Sequence, residues 1–245
     1  MAKTIGLFLV LTVLAPCVLA EDFTVEKWIG PPGLSGLYDG VGTAAQLGQP
    51  MDVARDAAGN LYVLDQAYKL IRRIDPSGAV TTLAGPDYVN ENGQIVSFGL
   101  PYSIAVDAGG FVFVNDTSAI LRISPAGVVR TLTSVTGAND LAIDKVGNLY
   151  VTSSNNVIYK VTPAGVKTEF AGSAGQAGTT DGVGTAARFQ SPFRITIDNQ
   201  ETLIVVDGTW FGGGVLRKIT KDGVVSTISG SIPWVGGIAA GAPGT

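Results

Sequence analysis

Acidic side chains recur at fixed points along this chain. Asp65, Asp116 and Asp207 each close a short apolar run (LYVLD, VFVND, LIVVD), with Ser153 in the same place in LYVTS. Asp52, Ser103, Asp140 and Arg194 stand four residues ahead of four further aspartates, Asp56, Asp107, Asp144 and Asp198, each followed by turn residues. Carboxylates grouped in this way offer oxygen ligands, the donors that hold a hard cation such as calcium. Beside them the stretch GTWFGGG places Trp210 and Phe211 between glycines, flat apolar faces suited to a sugar ring or a peptide side chain. The same aspartates have a plainer use as acceptors for loop backbone, and that is the expectation for Asp65, Asp116 and Asp207. Asp52 and Asp140 are expected as solvated residues at the mouth of a channel. A binding rim drawn from these positions comprises Asp52, Asp140, Arg194, Asp207, Trp210 and Phe211; no catalytic residue and no metal ligand is assigned.

Composition closes much of the remaining chemistry. The 245 residues contain no histidine and a single cysteine, Cys17. That excludes Ser-His-Asp and Cys-His nucleophile pairs, histidine general bases and histidine-ligated zinc. A formal net charge of −4 with only 15% charged residues provides no basic stripe for phosphates, so nucleic acid is not an expected partner. The first twenty residues, MAKTIGLFLVLTVLAPCVLA, combine a lysine, a short apolar run and small residues ahead of Glu21, the pattern of a secretory signal peptide. The run is shorter than the roughly 20 residues of a membrane span. The domain is therefore expected at 21–245, secreted or periplasmic, without a membrane partner and without disulfides, so that its stability must come from a large apolar core.

That core is built from a repeat. PMDVARDAAGNLYV, PYSIAVDAGGFVFV, ANDLAIDKVGNLYV and PFRITIDNQETLIVV begin at Pro50, Pro101, Ala138 and Pro192. Each copy continues with an apolar and basic run (IRRI, LRI, IYKV, LRKI), a turn (DPSG, SPAG, TPAG, TKDG) and a last run such as AVTTLAG. Arg72, Arg122, Lys160 and Arg217 align as one basic position, read as a solvated outer face or as partners of the aspartates. Each copy reads as four short strands joined by tight turns, in which aspartate bonds nearby backbone and glycine accepts positive φ. A four-stranded unit of about 47 residues cannot bury both faces alone and must stack on its neighbours; radial stacking gives a β-propeller. The blades are expected at about 46–85, 97–134, 138–172 and 188–230.

The heptapeptide DGVGTAA occurs twice, at 39–45 and at 181–187, and reads as the crossing from the outer strand of one blade to the inner strand of the next. It leads to Leu47 and to Phe189, three residues before the following proline, as Phe98 stands before Pro101. These three residues are expected to plug the seams between blades. FTVEKWIG at 23–30 matches an outermost strand with no blade of its own, so the fold class is all-β, a propeller of four complete four-stranded antiparallel blades plus an orphan strand, either a truncation or an open ring.

These motifs together, DGVGTAARF, PYSIAVD, GNLYV, IRRI and GAVTTLAG, resemble the NHL repeat of secreted, bacterial-type β-propellers, across residues 23–232. The resemblance implies the propeller fold and a binding or scaffold role toward a protein, peptide or glycan. It also brings in the related gluconolactonase-like propellers, which hold a divalent ion with Glu, Asn and Asp; Asn139 falls near their asparagine, and a calcium-dependent hydrolase is the alternative function. The histidine-dependent propeller lyases are excluded by composition. No cofactor is expected unless it is that calcium.

Overall fold

The computed structural model describes residues 28–30, 33–86, 88–90, 92–96, 98–116, 119–209, 213–232 and 236–240. The leader at 1–20, residues 23–27 of the orphan segment, and Trp210 and Phe211 lie outside them. The described chain is all β. Blade 1 comprises Pro50–Arg55, Leu61–Asp65, Leu70–Ile74 and Ala79–Ala84; blade 2, Pro101–Val106, Val112–Asp116, Ala119–Ile123 and Val129–Ser134. Blade 3 comprises Ala138–Ile143, Leu149–Ser153, Val157–Val161 and Lys167–Gly172; blade 4, Pro192–Ile197, Leu203–Thr209, Gly213–Ile219 and Val224–Ile232. Within each blade the strands pair antiparallel in chain order, and the first strands of successive blades pack against one another along the axis.

The turns form for local reasons. Asp56 accepts hydrogen bonds from the Asn60 amide at 2.8 Å and from its side chain at 2.7 Å, while Gly59 takes φ +87°, a value that a Cβ would oppose. Asp144 and Asn148 repeat the arrangement in blade 3.

Packing is between blades. Tyr62, Leu64 and Ile71 of blade 1 form one apolar cluster with Phe98, Ile104 and Val114 of blade 2. Phe113 and Ile120 meet Leu141 and Val151 across the second seam, and Tyr150 and Ile158 meet Phe189 and Ile195 across the third. The lead-in residues Phe98 and Phe189 are 1% and 0% exposed and sit in these clusters, as does Val135 ahead of blade 3. Leu47, in the same place ahead of blade 1, stays half-buried. The reason is geometric: a seam needs a preceding blade, and blade 1 has none among the described residues.

The two copies of DGVGTAA do something more specific than cross between blades. Gly40–Val41 and Gly182–Val183 pair antiparallel with the outermost strand of the blade they lead into, giving blades 1 and 4 a short fifth strand. Asp39 Oδ1 accepts from Arg72 Nη2 at 2.8 Å and from Thr82 Oγ1 at 3.0 Å, and its Oδ2 accepts from the Thr82 amide at 3.0 Å. Asp181 repeats each bond with Arg217 and Thr227, at 2.9, 2.9 and 3.1 Å. Both arginines are fully buried and also donate to loop carbonyls, Arg72 to Gln46 and Tyr38 and Arg217 to Arg188 and Thr180. The alignment of four basic residues is corrected here. Val63 faces Arg72 and Val205 faces Arg217, whereas Phe113 faces Arg122 and Tyr150 faces Lys160, one residue further along the strand. Arg72 and Arg217 stand three residues ahead of the turn residues Asp75 and Thr220, whereas Arg122 and Lys160 stand two ahead of Ser124 and Thr162, so aligning the basic residues with one another merged two positions on opposite faces of the sheet.

Because Phe98 fills a seam and Leu47 does not, the two substitutions should separate. Phe98→Ala is expected to lower unfolding free energy by about 3–5 kcal/mol and Leu47→Ala by about 1 kcal/mol or less, measured as urea midpoints with unchanged m-values.

Candidate functional site

The first strand of each blade brings one polar side chain to the axis: Asp52, Ser103, Asp140 and Arg194. Asp52 accepts through Oδ2 from the Ile104 amide of blade 2 at 2.8 Å and through Oδ1 from its own neighbour Val53 at 2.9 Å. Ser103 accepts from the Leu141 amide of blade 3 at 3.1 Å and donates to Asp140 Oδ1 at 2.6 Å. Asp140 Oδ1 also accepts from the Leu141 amide at 2.9 Å, and its Oδ2 accepts from the Ile195 amide of blade 4 at 3.0 Å. At each seam, then, a side chain of the earlier blade satisfies a backbone donor of the next. The expected solvated channel-mouth carboxylates are committed to these seam bonds.

A second row of bonds runs parallel to the first. Gln66 donates to the Pro101 carbonyl at 3.1 Å, Asn115 to Ala138 at 2.9 Å, and Asn139 to Pro192 at 2.9 Å. Each is an amide side chain of one blade reaching the opening residue of the next. Sequence reasoning missed Gln66 and Asn115, and singled out Asn139 for its place near a metal ligand. The available signal was weak, because the three amides come from different points in their repeats.

The outer aspartates hold the lead-in loops. Asp65 accepts from the Gly48 and Gln49 amides at 2.7 and 2.8 Å, Asp116 from Gly99 at 2.8 Å, and Asp207 from Gln190 and Ser191 at 3.1 and 2.8 Å. Asp207 is also 3.2 Å from Arg217 Nη1, both side chains being fully buried. Ser153, lacking a carboxylate, donates to Thr136 instead.

Electrostatics at the axis are tense. Burial first, and the charge of Asp140 second, push the Asp52 carboxyl up to about 6; the Ile104 and Val53 amides and Arg194 pull the other way. Burial raises Asp140 as well, against Arg194, Ser103 and the Ile195 and Leu141 amides. Burial raises Asp207 despite its backbone donors and Arg217. The Arg194 guanidinium lies 4.7 Å from the Phe193 ring centroid. The structure therefore unites Asp52, Asp140 and Arg194 and leaves Asp207 in a separate ion pair; Trp210 and Phe211 lie outside the described residues. Among the described residues, no three His, Cys, Asp or Glu side chains gather as a metal-ligand set.

Comparison with known proteins follows the same lines. No protein-family model matches the chain. It is 27% identical over 216 residues to teneurin-4 of Mus musculus and 28% identical over 216 residues to teneurin-4 of Homo sapiens. Each match covers 84% of this chain and 6% of the relative, so the chain spans a small part of those proteins. Among solved structures, a virginiamycin B lyase from Staphylococcus aureus, a catalytically inactive histidine-to-alanine variant with quinupristin, superposes with a TM-score of 0.56 at 20% identity. That match covers 77% of this chain and 59% of the lyase. A protein of unknown function from Bacteroides thetaiotaomicron gives 0.51 at 21% identity, covering 85% and 64%. These likenesses and the four antiparallel sheets define the chain as a β-propeller protein.

The raised Asp52 carboxyl has a signed consequence. A group whose folded value stands above its ordinary 3.8 favours the folded state when protonated, so this stabilisation is complete below pH about 4 and is lost as pH rises through about 6. Asp52→Asn keeps one acceptor oxygen and removes the ionisation. It is expected to flatten the fall in stability between pH 4 and 7 by on the order of 2–3 kcal/mol, read from urea midpoints across that window. Asp140 and Asp207, shifted in the same direction, leave a residual slope.

Proposed function

We propose that this chain is an exported NHL-type propeller that binds a protein, peptide or glycan partner at its rim and performs no chemistry on it. The observation that carries this reading is the commitment of the recurrent carboxylates. Asp52, Asp65, Asp116, Asp140 and Asp207 all accept backbone hydrogen bonds within the fold. Groups spent on positioning loops and seams make a scaffold and leave recognition to what the scaffold displays. The absence of histidine separates this chain from the lyase it resembles in fold, which is inactive as a histidine-to-alanine variant.

Blade 4 has the feature best suited to display. Its second and third strands pair beyond Asp207–Val215 through Gly208–Gly214 to Thr209–Gly213, whereas the corresponding hairpins of blades 1 and 2 end at Asp65–Leu70 and Asp116–Ala119. A Cβ on Gly208 would collide with Gly213 O and Gly214 Cα, so glycine is required for the two strands to run this close. The stem carries the connection that contains Trp210 and Phe211.

Screening the purified protein on glycan and peptide arrays, followed by calorimetry on the best ligand, tests the reading. Trp210→Ala is expected to weaken binding at least about tenfold without shifting the urea midpoint. Unaltered affinity in that variant would remove the rim from the proposal. Calcium-dependent heat that Asp140→Asn abolishes would favour the metal-dependent hydrolase instead.

A further inference from the structure

Once strand register replaces spacing, one basic residue falls at the same place in every blade. Arg73, Arg122, Lys160 and Lys218 face Tyr62, Phe113, Tyr150 and Ile204 on the second strands. All four stand near the turn between third and fourth strands, at the opposite end of the blade from the connection that in blade 4 holds Trp210.

Blade 2 departs from the other three around this residue. Its neighbour on the outermost strand is a second cation: Arg130 lies directly opposite Arg122, where Thr81, Thr168 and Ser226 stand in blades 1, 3 and 4. Like charges in that relation repel each other. The residue ahead of the second strand is Phe111, in the place of Asn60, Asn148 and Thr202, and the turn opens with Ser124 where blade 1 has Asp75. These exchanges change what the cation does. In blade 1, Arg73 donates from Nη2 to Asn60 Oδ1 at 3.1 Å. In blade 2 the Arg122 guanidinium lies 3.7 Å from the Phe111 ring centroid instead, and it makes no hydrogen bond or ion pair among the described residues. A ring supports the planar fork from one face, holds its conformation and consumes none of its five N–H donors.

The departures line a single cavity. Phe111, Arg122, Ser124, Val128 and Arg130 enclose about 320 Å³, at the small end of the range of ligand sites, about 300–1,000 Å³. Ser124 Oγ accepts from the Val128 amide at 3.1 Å, which leaves its own proton to donate. The lining side chains therefore supply two guanidiniums and a hydroxyl as donors, Val128 as an apolar wall, and no carboxylate.

We propose that this cavity binds an acidic sugar, one that carries a carboxylate or a sulfate group, with the oxyanion between Arg122 and Arg130 and the sugar ring against Val128. A shared anion converts the repulsion between the two cations into attraction to one ligand. An oxyanion can take two parallel N–H bonds from the planar fork, the stronger and more directional form of such a contact. The rest of the ligand must live among the same donors, which favours a sugar over an acidic peptide. Sugar hydroxyl oxygens accept, whereas peptide N–H groups would find no unspent side-chain acceptor in the lining. The site lies away from the Trp210 connection and stands whether or not that rim binds a partner.

Calorimetry on the purified full-length chain with two acidic trisaccharides, trigalacturonic acid and sulfated galactotriose, tests this. At least one is expected to bind, more weakly as salt rises, and the tighter of the two tells carboxylate from sulfate. Neutral galactotriose is expected to give no heat. Arg122→Gln is expected to weaken binding at least about tenfold. Arg130→Thr, which restores the residue type of blades 1 and 3, is expected to weaken it about threefold or more. Lys218→Gln, at the matching position of blade 4, leaves it unchanged, and urea midpoints confirm that all three variants are folded. Heat from inorganic sulfate alone, equal affinity for a triglutamate peptide, no binding of either acidic trisaccharide, or an affinity indifferent to both arginine variants would overturn the proposal.

Discussion

A four-stranded sheet of short strands has two apolar faces and no means of covering either by itself. Everything else in this molecule answers that constraint. The seams supply the missing cover, and because they are dry they impose a second demand. The backbone donor at the fourth residue of the inner strands of blades 2, 3 and 4, Ile104, Leu141 and Ile195, points at the preceding sheet, not at water. An unpaired amide there would cost about 1–3 kcal/mol, so the preceding blade must bring an acceptor. Asp52, Ser103 and Asp140 are those acceptors, and Gln66, Asn115 and Asn139 do the converse for the opening carbonyls. Polarity at the axis is the consequence of packing greasy sheets side by side.

The outer edges pose a different problem, since an unpaired strand is a template for association. The chain treats its edges in three ways. Blades 1 and 4 receive the short strand from DGVGTAA, locked by a buried arginine that spans the loop and the blade. Blade 2 is approached by the small Tyr88–Val89 and Ile95–Val96 hairpin, from which Asn90 bridges to Val129. Blade 3 exposes Lys167 and Glu169 on its outermost strand, a charged edge that discourages pairing. The arginine and the heptapeptide form a unit: Leu121 and Tyr159 take the arginine's place in the blades that lack the motif.

Strands, turns and blade order were legible in the sequence because they rest on local chemistry: alternating apolar runs, aspartate two to four residues ahead of the amides it caps, glycine where φ is positive. Two of the three expected seam plugs, Phe98 and Phe189, were legible too, as apolar residues at a constant distance from the next inner strand, whereas Leu47 stays half-buried and Val135, at the same distance ahead of blade 3, was passed over. The buried role of Arg72 and Arg217 was not, because it depends on register. One residue of slip exchanges the two faces of a sheet, and aligning the basic residues with one another concealed that slip, which only the distance to the following turn carries, three residues for Arg72 and Arg217 against two for Arg122 and Lys160. The fate of Asp52 and Asp140 was hidden for another reason. Their partners lie 52 and 55 residues away, and nothing in a single repeat tells an aspartate that meets solvent from one that meets the next blade.

The divergence of the axial set from strict repetition has an electrostatic origin. Four aspartates at this position would satisfy every seam donor and place four like charges around one axis in a poorly solvated space. Two already suffice to strain it: burial lifts both carboxyls, and the charge of Asp140 further lifts that of Asp52. Serine at 103 performs the same acceptance without charge, and it spends its hydroxyl proton on Asp140. Arginine at 194 opposes both carboxylates, and it stands in the blade whose axial residue meets no following blade among the described residues. The sequence Asp, Ser, Asp, Arg therefore leaves the formal charge of the cluster at one negative unit and not four. The repeat is preserved where geometry demands an acceptor and abandoned where a further carboxylate would cost more than the bond returns.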